Sequence, residues 1–197
     1  MSRPKRPLYL ITDCETTGLH YEHDAAYEVA MIGYDGTNVL FRSFFLLELN
    51  PEQTVSEYTR ASSNYQDYLH LNHPRLTGEE ANARLSSQIA AAQRDIGTNY
   101  RHTFLVGSNP SFDKHFIGKA TNLNLGSNGE DPSCLVSHKL IDLSNIAMTY
   151  FRSHEPIGQA EIQKRLMMWE QMHGAIQDAE DALECFRIMT RELEWSR

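Results

Sequence analysis

Apolar residues fall along the chain in short continuous runs and in helically spaced sets, and these divide it into strand-like and helix-like stretches. Residues 8–14, 28–34 and about 38–47 read as three strands, and Asp35-Gly36-Thr37-Asn38 supplies turn chemistry between the second and third, so the fold opens on a β-meander. The stretch 48–103 reads as helical. A first helix covers about 52–70, and a second is opened by the capping box Thr77-Gly78-Glu79-Glu80, after which Leu85, Ile89, Ala92 and Ile96 recur at helical spacing. Residues 104–108 form a short buried strand, and Asn109-Pro110 starts a helix with proline at its first position. Residues 121–137, rich in Asn, Gly and Ser, read as a mobile loop before a last strand at 138–142, and helices at about 143–153, 159–169 and 175–194 complete the chain. Strands followed by alternating helix and strand predict an α/β architecture, a mixed five-stranded sheet flanked by helices, with ligand sites at the strand ends.

At 197 residues the chain is expected to be a single domain with a full core, preceded by a short basic extension over residues 1–7. Three widely spaced cysteines, Cys14, Cys134 and Cys185, argue against a disulfide framework or a zinc ribbon and fit a reducing compartment. No apolar stretch reaches membrane-span length, so a soluble, cytoplasmic protein is expected, with no membrane partner. The net charge of −8 is opposite to that of a protein gripping many phosphates, so any nucleic acid is held locally, at one end.

The first strand ends in chemistry. Asp13 and Glu15 lie two apart, share one strand face and repel each other, a conflict that a divalent cation removes. Cys14 points to the opposite face as a buried structural thiol. Near the C-terminus His173 precedes Asp178 by five residues, an arrangement that lets both face one centre; with Asp113 the chain offers four carboxylates and a histidine. Simpler readings stand beside these. Asp113 and Asp178 each fall near a predicted helix N-terminus, where an acid is favourable without any function. Glu180, Asp181 and Glu184 read as the solvated face of the last helix, which packs through Ile176, Ala179, Leu183 and Phe186. Phe112 reads as a core residue before a base-stacking platform, and Tyr58, Tyr65 and Tyr68 share one predicted helix at spacings that favour packing over stacking.

The motifs Asp13-x-Glu15-Thr16-Thr17-Gly18-Leu19, Asn109-x-x-Phe112-Asp113 and His173-x-x-x-x-Asp178 resemble, in order and spacing, the three motifs of the DEDDh 3′-to-5′ exonucleases. That superfamily includes the proofreading subunit of bacterial DNA polymerase III, ribonuclease T and oligoribonuclease. The resemblance runs from about residue 8 to 190 and implies a ribonuclease H-like fold. It further implies hydrolysis of phosphodiester bonds at single-stranded 3′ ends with release of nucleoside 5′-monophosphates. Two divalent cations, Mg²⁺ or Mn²⁺, would be held by Asp13, Glu15, Asp113 and Asp178, suiting the preference of hard cations for carboxylate oxygen. His173 would be the general base, with His115 and His138 as substitutes. Thr16, Thr17 and Leu19, joined by Asn109 and Phe112, would contact the terminal nucleotide. Only 19 residues follow Asp178, so a stand-alone enzyme without a polymerase-binding tail is expected, similar in size and layout to small phage-encoded members. DNA is the expected strand. An exoribonuclease of the oligoribonuclease or ribonuclease T type, and a non-catalytic nucleic-acid-binding module on the same fold, are the alternatives; oligomeric state is left open.

Overall fold

The computed structural model describes residues 6–70, 73–126, 133–168 and 174–195. Three nine-residue strands come first: β1 (Leu8–Thr16), β2 (Ala26–Tyr34) and β3 (Val39–Leu47). They pair as an antiparallel meander, with Tyr9 opposite Tyr34 and Glu15 opposite Glu28. Asp35 fixes the β2–β3 turn by accepting the amide N–H groups of Thr37 and Asn38 at 2.8 and 2.6 Å, and Gly36 takes the positive φ of 89° that the turn requires.

The expected helix over 52–70 is two helices, α1 (Glu57–Ala61) and α2 (Ser63–His70). Serine chemistry makes the break. Ser56 caps α1 by accepting the Thr59 amide at 3.1 Å, and Ser62 leaves the helix in an extended conformation. The Ser62 hydroxyl donates to the Thr59 carbonyl at 2.7 Å and accepts the Tyr65 amide, taking over bonds that a continuous helix would make itself.

A two-residue strand that the sequence pattern does not announce, β4 (Arg75–Leu76), follows and pairs parallel to β3. The Thr77–Glu80 capping box then opens α3 (Gly78–Ile96) as expected. Strand β5 (Thr103–Gly107) runs parallel to β1, and α4 (Pro110–Thr121) starts behind Asn109, which adopts the left-handed region at φ 58°. Residues 127–132 of the expected mobile loop lie outside the described residues. On either side of them Leu123, Leu125, Cys134 and Val136 are buried in the core, so those parts of the segment are anchored. Then come β6 (Leu140–Asp142), parallel to β5, α5 (Leu143–Phe151), α6 (Gln159–Arg165) and α7 (Ala175–Trp195).

Among the described residues the sheet has six strands rather than five, in the order β4-β3-β2-β1-β5-β6, mixed in direction and covered on both faces. Alternation along the central strand β1 sorts the two cores. Leu8, Leu10 and Cys14 face a core with Leu85 and Ile89 of α3 and Phe116 and Ile117 of α4. Ile11 faces the other, with Ala179, Leu183 and Phe186 of α7 and Ile162 of α6. Asp13 and Glu15 therefore continue the face that α7 covers, at the end where β1 outruns the β5 ladder, whose last pair is Ile11 with Val106.

Candidate metal and nucleic-acid site

Carboxylate oxygens of Asp13, Glu15 and Asp178 all lie within 4.8 Å of one another, and each residue is half-buried. The first two come from consecutive same-face positions of β1. The third comes from the first turn of α7, where its backbone N–H bonds the Gly174 carbonyl at 2.9 Å and its carbonyl accepts from Gln159 of α6 at 3.0 Å. Burial, together with the charges of Asp113, Asp178 and Glu15, pushes the Asp13 carboxyl well above its usual range. Three acids brought this close cannot all ionise cheaply without a counter-charge, and an all-oxygen set of this kind fits a hard divalent cation.

Asp113 reaches the same end of the sheet from the other helical layer. It is buried on α4, beside Cys14, and lies outside the three-acid set. Burial raises its carboxyl to about 7, against the opposing effect of hydrogen bonds from the Cys14 thiol and amide. Gly107, the last residue of β5, makes room for this approach: a Cβ there would stand 2.9 Å from the Thr12 carbonyl and 3.9 Å from the Asp113 carboxylate. Cys14 is buried on the α4 side, as expected of a structural thiol. Burial and the neighbouring Asp113 and Asp13 carboxylates push that thiol well up, which keeps it protonated.

Glu28 is a residue that the motifs do not point to. It sits opposite Glu15 in the β1–β2 ladder, is buried, and accepts the Ala175 amide at 2.9 Å, bonding the first residue of α7 to β2. Burial raises it to about 7, reinforced by Glu15 and Asp178. A glutamate heading an otherwise apolar strand is the one sequence signal for it; the register that sets it opposite Glu15 is not visible without the sheet.

Beyond Glu15 opens a cleft of about 750 Å³ between the β1–β2 connection, α1–α2 and the start of α4. Leu19 and Tyr58 stand exposed on its rim, 78% and 88% accessible, and Phe112 lines it. Phe112 is half-buried, packed 4.6 Å from Phe116, so it serves core and cleft together. The three tyrosines separate: Tyr65 and Tyr68 are buried against Tyr27, and Tyr58 alone faces solvent. Asn64 of α2 donates to Glu15 Oε1 at 3.0 Å, joining the cleft wall to the acids.

Of the expected nucleotide contacts, Thr16 is half-buried and donates to the Gly18 carbonyl at 2.7 Å, and Asn109 is exposed before α4. Thr17 differs from expectation. It is fully buried, its hydroxyl engaged with Asp24 and with the Ala25 amide at 3.0 Å, and its backbone bonded to Ala25 and Ser56. No polar group is left over for a ligand, so its place is in shaping the loop that presents Leu19. Gly18 serves the same loop, because a Cβ there would meet the Asp24 carboxylate at 2.4 Å.

His173 lies outside the described residues. His115 is exposed on α4, stacked on Tyr21 with ring centroids 5.3 Å apart, and His138 is exposed before β6. On α7, Glu180 and Glu184 are at the surface as expected, paired with Arg42 and Arg187. Asp181 is not: it is buried, accepting from Gln163 of α6 at 2.8 Å and from Gln177 at 2.9 Å, because α6 covers that side of the helix.

No protein-family model matches the chain, and no curated protein matches it. Solved structures do. Exonuclease I from E. coli, in complex with a dA16 oligonucleotide, superposes with a TM-score of 0.67 and 15% identity, over 94% of this chain and 41% of that one. A moderately thermophilic exonuclease I from Methylocaldum szegediense gives 0.69 and 16%, over 94% and 40%. Pop2p from S. pombe, in a form with Mg²⁺ and Mn²⁺ bound, gives 0.61 and 12%, over 93% and 82%. The chain has the ribonuclease H-like fold of these proteins, and it spans about two fifths of the length of exonuclease I.

Proposed function

We propose that this protein is a divalent-metal-dependent 3′-to-5′ exonuclease acting on single-stranded ends, with DNA as its strand. The observation that carries the reading is the convergence of Asp13, Glu15 and Asp178 within 4.8 Å, on the fold of exonuclease I and Pop2p, with an open cleft at Glu15. The bound dA16 of one neighbour and the Mg²⁺ and Mn²⁺ of another support the ligand classes.

In this reading Asp13, Glu15 and Asp178 hold the cations directly, and Asp113 serves from beside Cys14, directly or through water. Two bound Mg²⁺ or Mn²⁺ ions supply Lewis-acid activation of water and charge stabilisation of the leaving 3′ oxygen. The protein's own groups do the rest. His173 takes the proton of the attacking water, a role suited to an imidazole with an ordinary pKa of about 6.5. Leu19, Tyr58 and Phe112 form an apolar surround for the terminal base, and Asn64 holds Glu15 in place from α2. Products are nucleoside 5′-monophosphates.

Parallel digestion of 5′-labelled single-stranded DNA and RNA, with Mg²⁺, with Mn²⁺ and with chelator, tests the reading. A ladder shortening from the 3′ end, dependent on metal and lost in Asp13→Ala, is the expected result. RNA degraded in preference to DNA would instead establish an exoribonuclease. Binding of both strands without turnover under every metal condition would establish a non-catalytic module.

A further inference from the structure

A second cavity, of about 350 Å³, lies between the β2–β3 turn and the C-terminal half of α7. Its polar and aromatic walls are Tyr9 of β1, Tyr34 of β2, Thr37 of the turn, and Glu184, Arg187, Thr190 and Arg191 of α7. The same two elements that carry the acids build it, but further along each. Tyr9 precedes Asp13 by four residues, about 13 Å of strand at about 3.3 Å per residue. Arg187 follows Asp178 by nine, about 14 Å of helix at 1.5 Å per residue.

Its chemistry is specific in kind. Tyr9 packs edge-on to Phe186 at 4.8 Å and lies 6.4 Å from the buried Tyr34, whose ring is tilted by 35° to it, so one wall is aromatic. The Arg187 guanidinium stands 5.8 Å from the Tyr34 ring centre, at the outer limit of a cation–π contact, and 3.3 Å from the exposed Glu184. An exposed pair of this kind contributes little and gives way easily to a stronger anion. Arg191 is exposed and makes no ion pair among the described residues. In a chain of net charge −8, a wall that carries two arginines against the one carboxylate of Glu184, beside two tyrosines and two threonines, suits neither a simple hydrocarbon nor a cation. It suits a planar ring carrying an anion: aromatic surface for the ring, arginine forks for phosphate oxygens and the Thr37 hydroxyl for the sugar, the Thr190 hydroxyl being donated to the Phe186 carbonyl at 2.6 Å. The volume is at the small end of ligand pockets and admits one such unit.

We infer that this cavity is a second nucleotide site, taking one nucleobase with its adjoining phosphate, separate from the acid centre. The unit is either a free mononucleotide or one residue of a bound strand. Calorimetric titration of the full chain in chelator, where no hydrolysis occurs, separates the possibilities. The probes are thymidine 5′-monophosphate, thymidine, inorganic phosphate and a (dT)6 oligonucleotide. The proteins are wild type, Asp13→Ala, and the double variant Arg187→Ala with Arg191→Ala, whose exposed side chains leave both cores untouched. Saturable binding of the monophosphate is expected, at least tenfold tighter than thymidine or phosphate alone. It should weaken at least tenfold in the double variant and be unchanged in Asp13→Ala. If the oligonucleotide binds tenfold tighter still, and loses that gain in the double variant, the occupant is a strand; equal affinities make it the free nucleotide. The inference is overturned if the monophosphate does not saturate, if phosphate binds as well, if the double variant binds normally, or if Asp13→Ala abolishes binding.

Discussion

Glu28 and Asp113 are carboxyls held near 7 by burial, far above the range each has in an unfolded chain. The sign of the consequence follows from proton counting. Between about pH 4 and 7 the folded chain keeps protons on these groups that the unfolded chain has released, so their contribution to stability falls as pH rises through that window. Metal-free protein should therefore melt at a lower temperature at pH 8 than at pH 5.5, measured by thermal denaturation in chelator. Glu28→Gln keeps an acceptor for the Ala175 amide and removes the charge; it should raise the pH 8 melting temperature and flatten the profile. A melting temperature that climbs across the same window would contradict this account of the acids. None of it was legible in the sequence, which shows Glu28 as the first polar residue of a strand. Asp13 and Glu15 were legible because alternation along one strand needs no partner to be seen.

Among elements, the connection between β1 and β2 is held from outside. Lys119 of α4 donates to the carbonyls of Tyr21, Glu22 and Asp24 at 2.7, 3.2 and 2.9 Å, and Asp24 in turn accepts the His20 amide at 2.8 Å. Because this loop presents Leu19 to the cleft, Lys119→Met should raise KM severalfold with a smaller effect on kcat. It should also speed proteolysis at residues 20–24, read by mass spectrometry of the fragments. In the other layer, Asp181→Ala leaves the buried Gln163 amide without its acceptor and should destabilise the protein by about 1–3 kcal/mol in urea titration. The pattern of the chain announced α7 and its apolar stripe but made Asp181 a surface acid, since only the docking of α6 makes that side of the helix an interior. The break at Ser62 was hidden for a related reason. Helical spacing of Tyr58, Tyr65 and Tyr68 survives a one-residue interruption, so periodicity alone joins what serine hydrogen bonding separates.

At the scale of the whole molecule, the sheet and its two covering layers followed from apolar patterning, and the sixth strand did not, because two residues carry no period. Motif spacing led to Asp178 as well as to the strand acids, whereas the approach of Asp113 from the opposite layer depends on where β5 stops. Bound cation should act on the entire fold. At a metal concentration of 100 times Kd the stabilisation is about 2.7 kcal/mol, or about 5–10 °C in melting temperature for a chain of this size. The effect should be larger at pH 8 than at pH 5.5, where protons compete for the acids, and Asp178→Ala should abolish it in differential scanning calorimetry. The acids themselves set a timetable for folding. The first is residue 13 and the last residue 178, carried by different secondary elements that meet only once α7 has docked on β1. A chain still emerging from the ribosome, or refolding with its last helix undocked, holds just two of the three clustered carboxylates. Tight cation binding should then be among the final properties to appear during refolding, later than the burial of the core on the α3–α4 side.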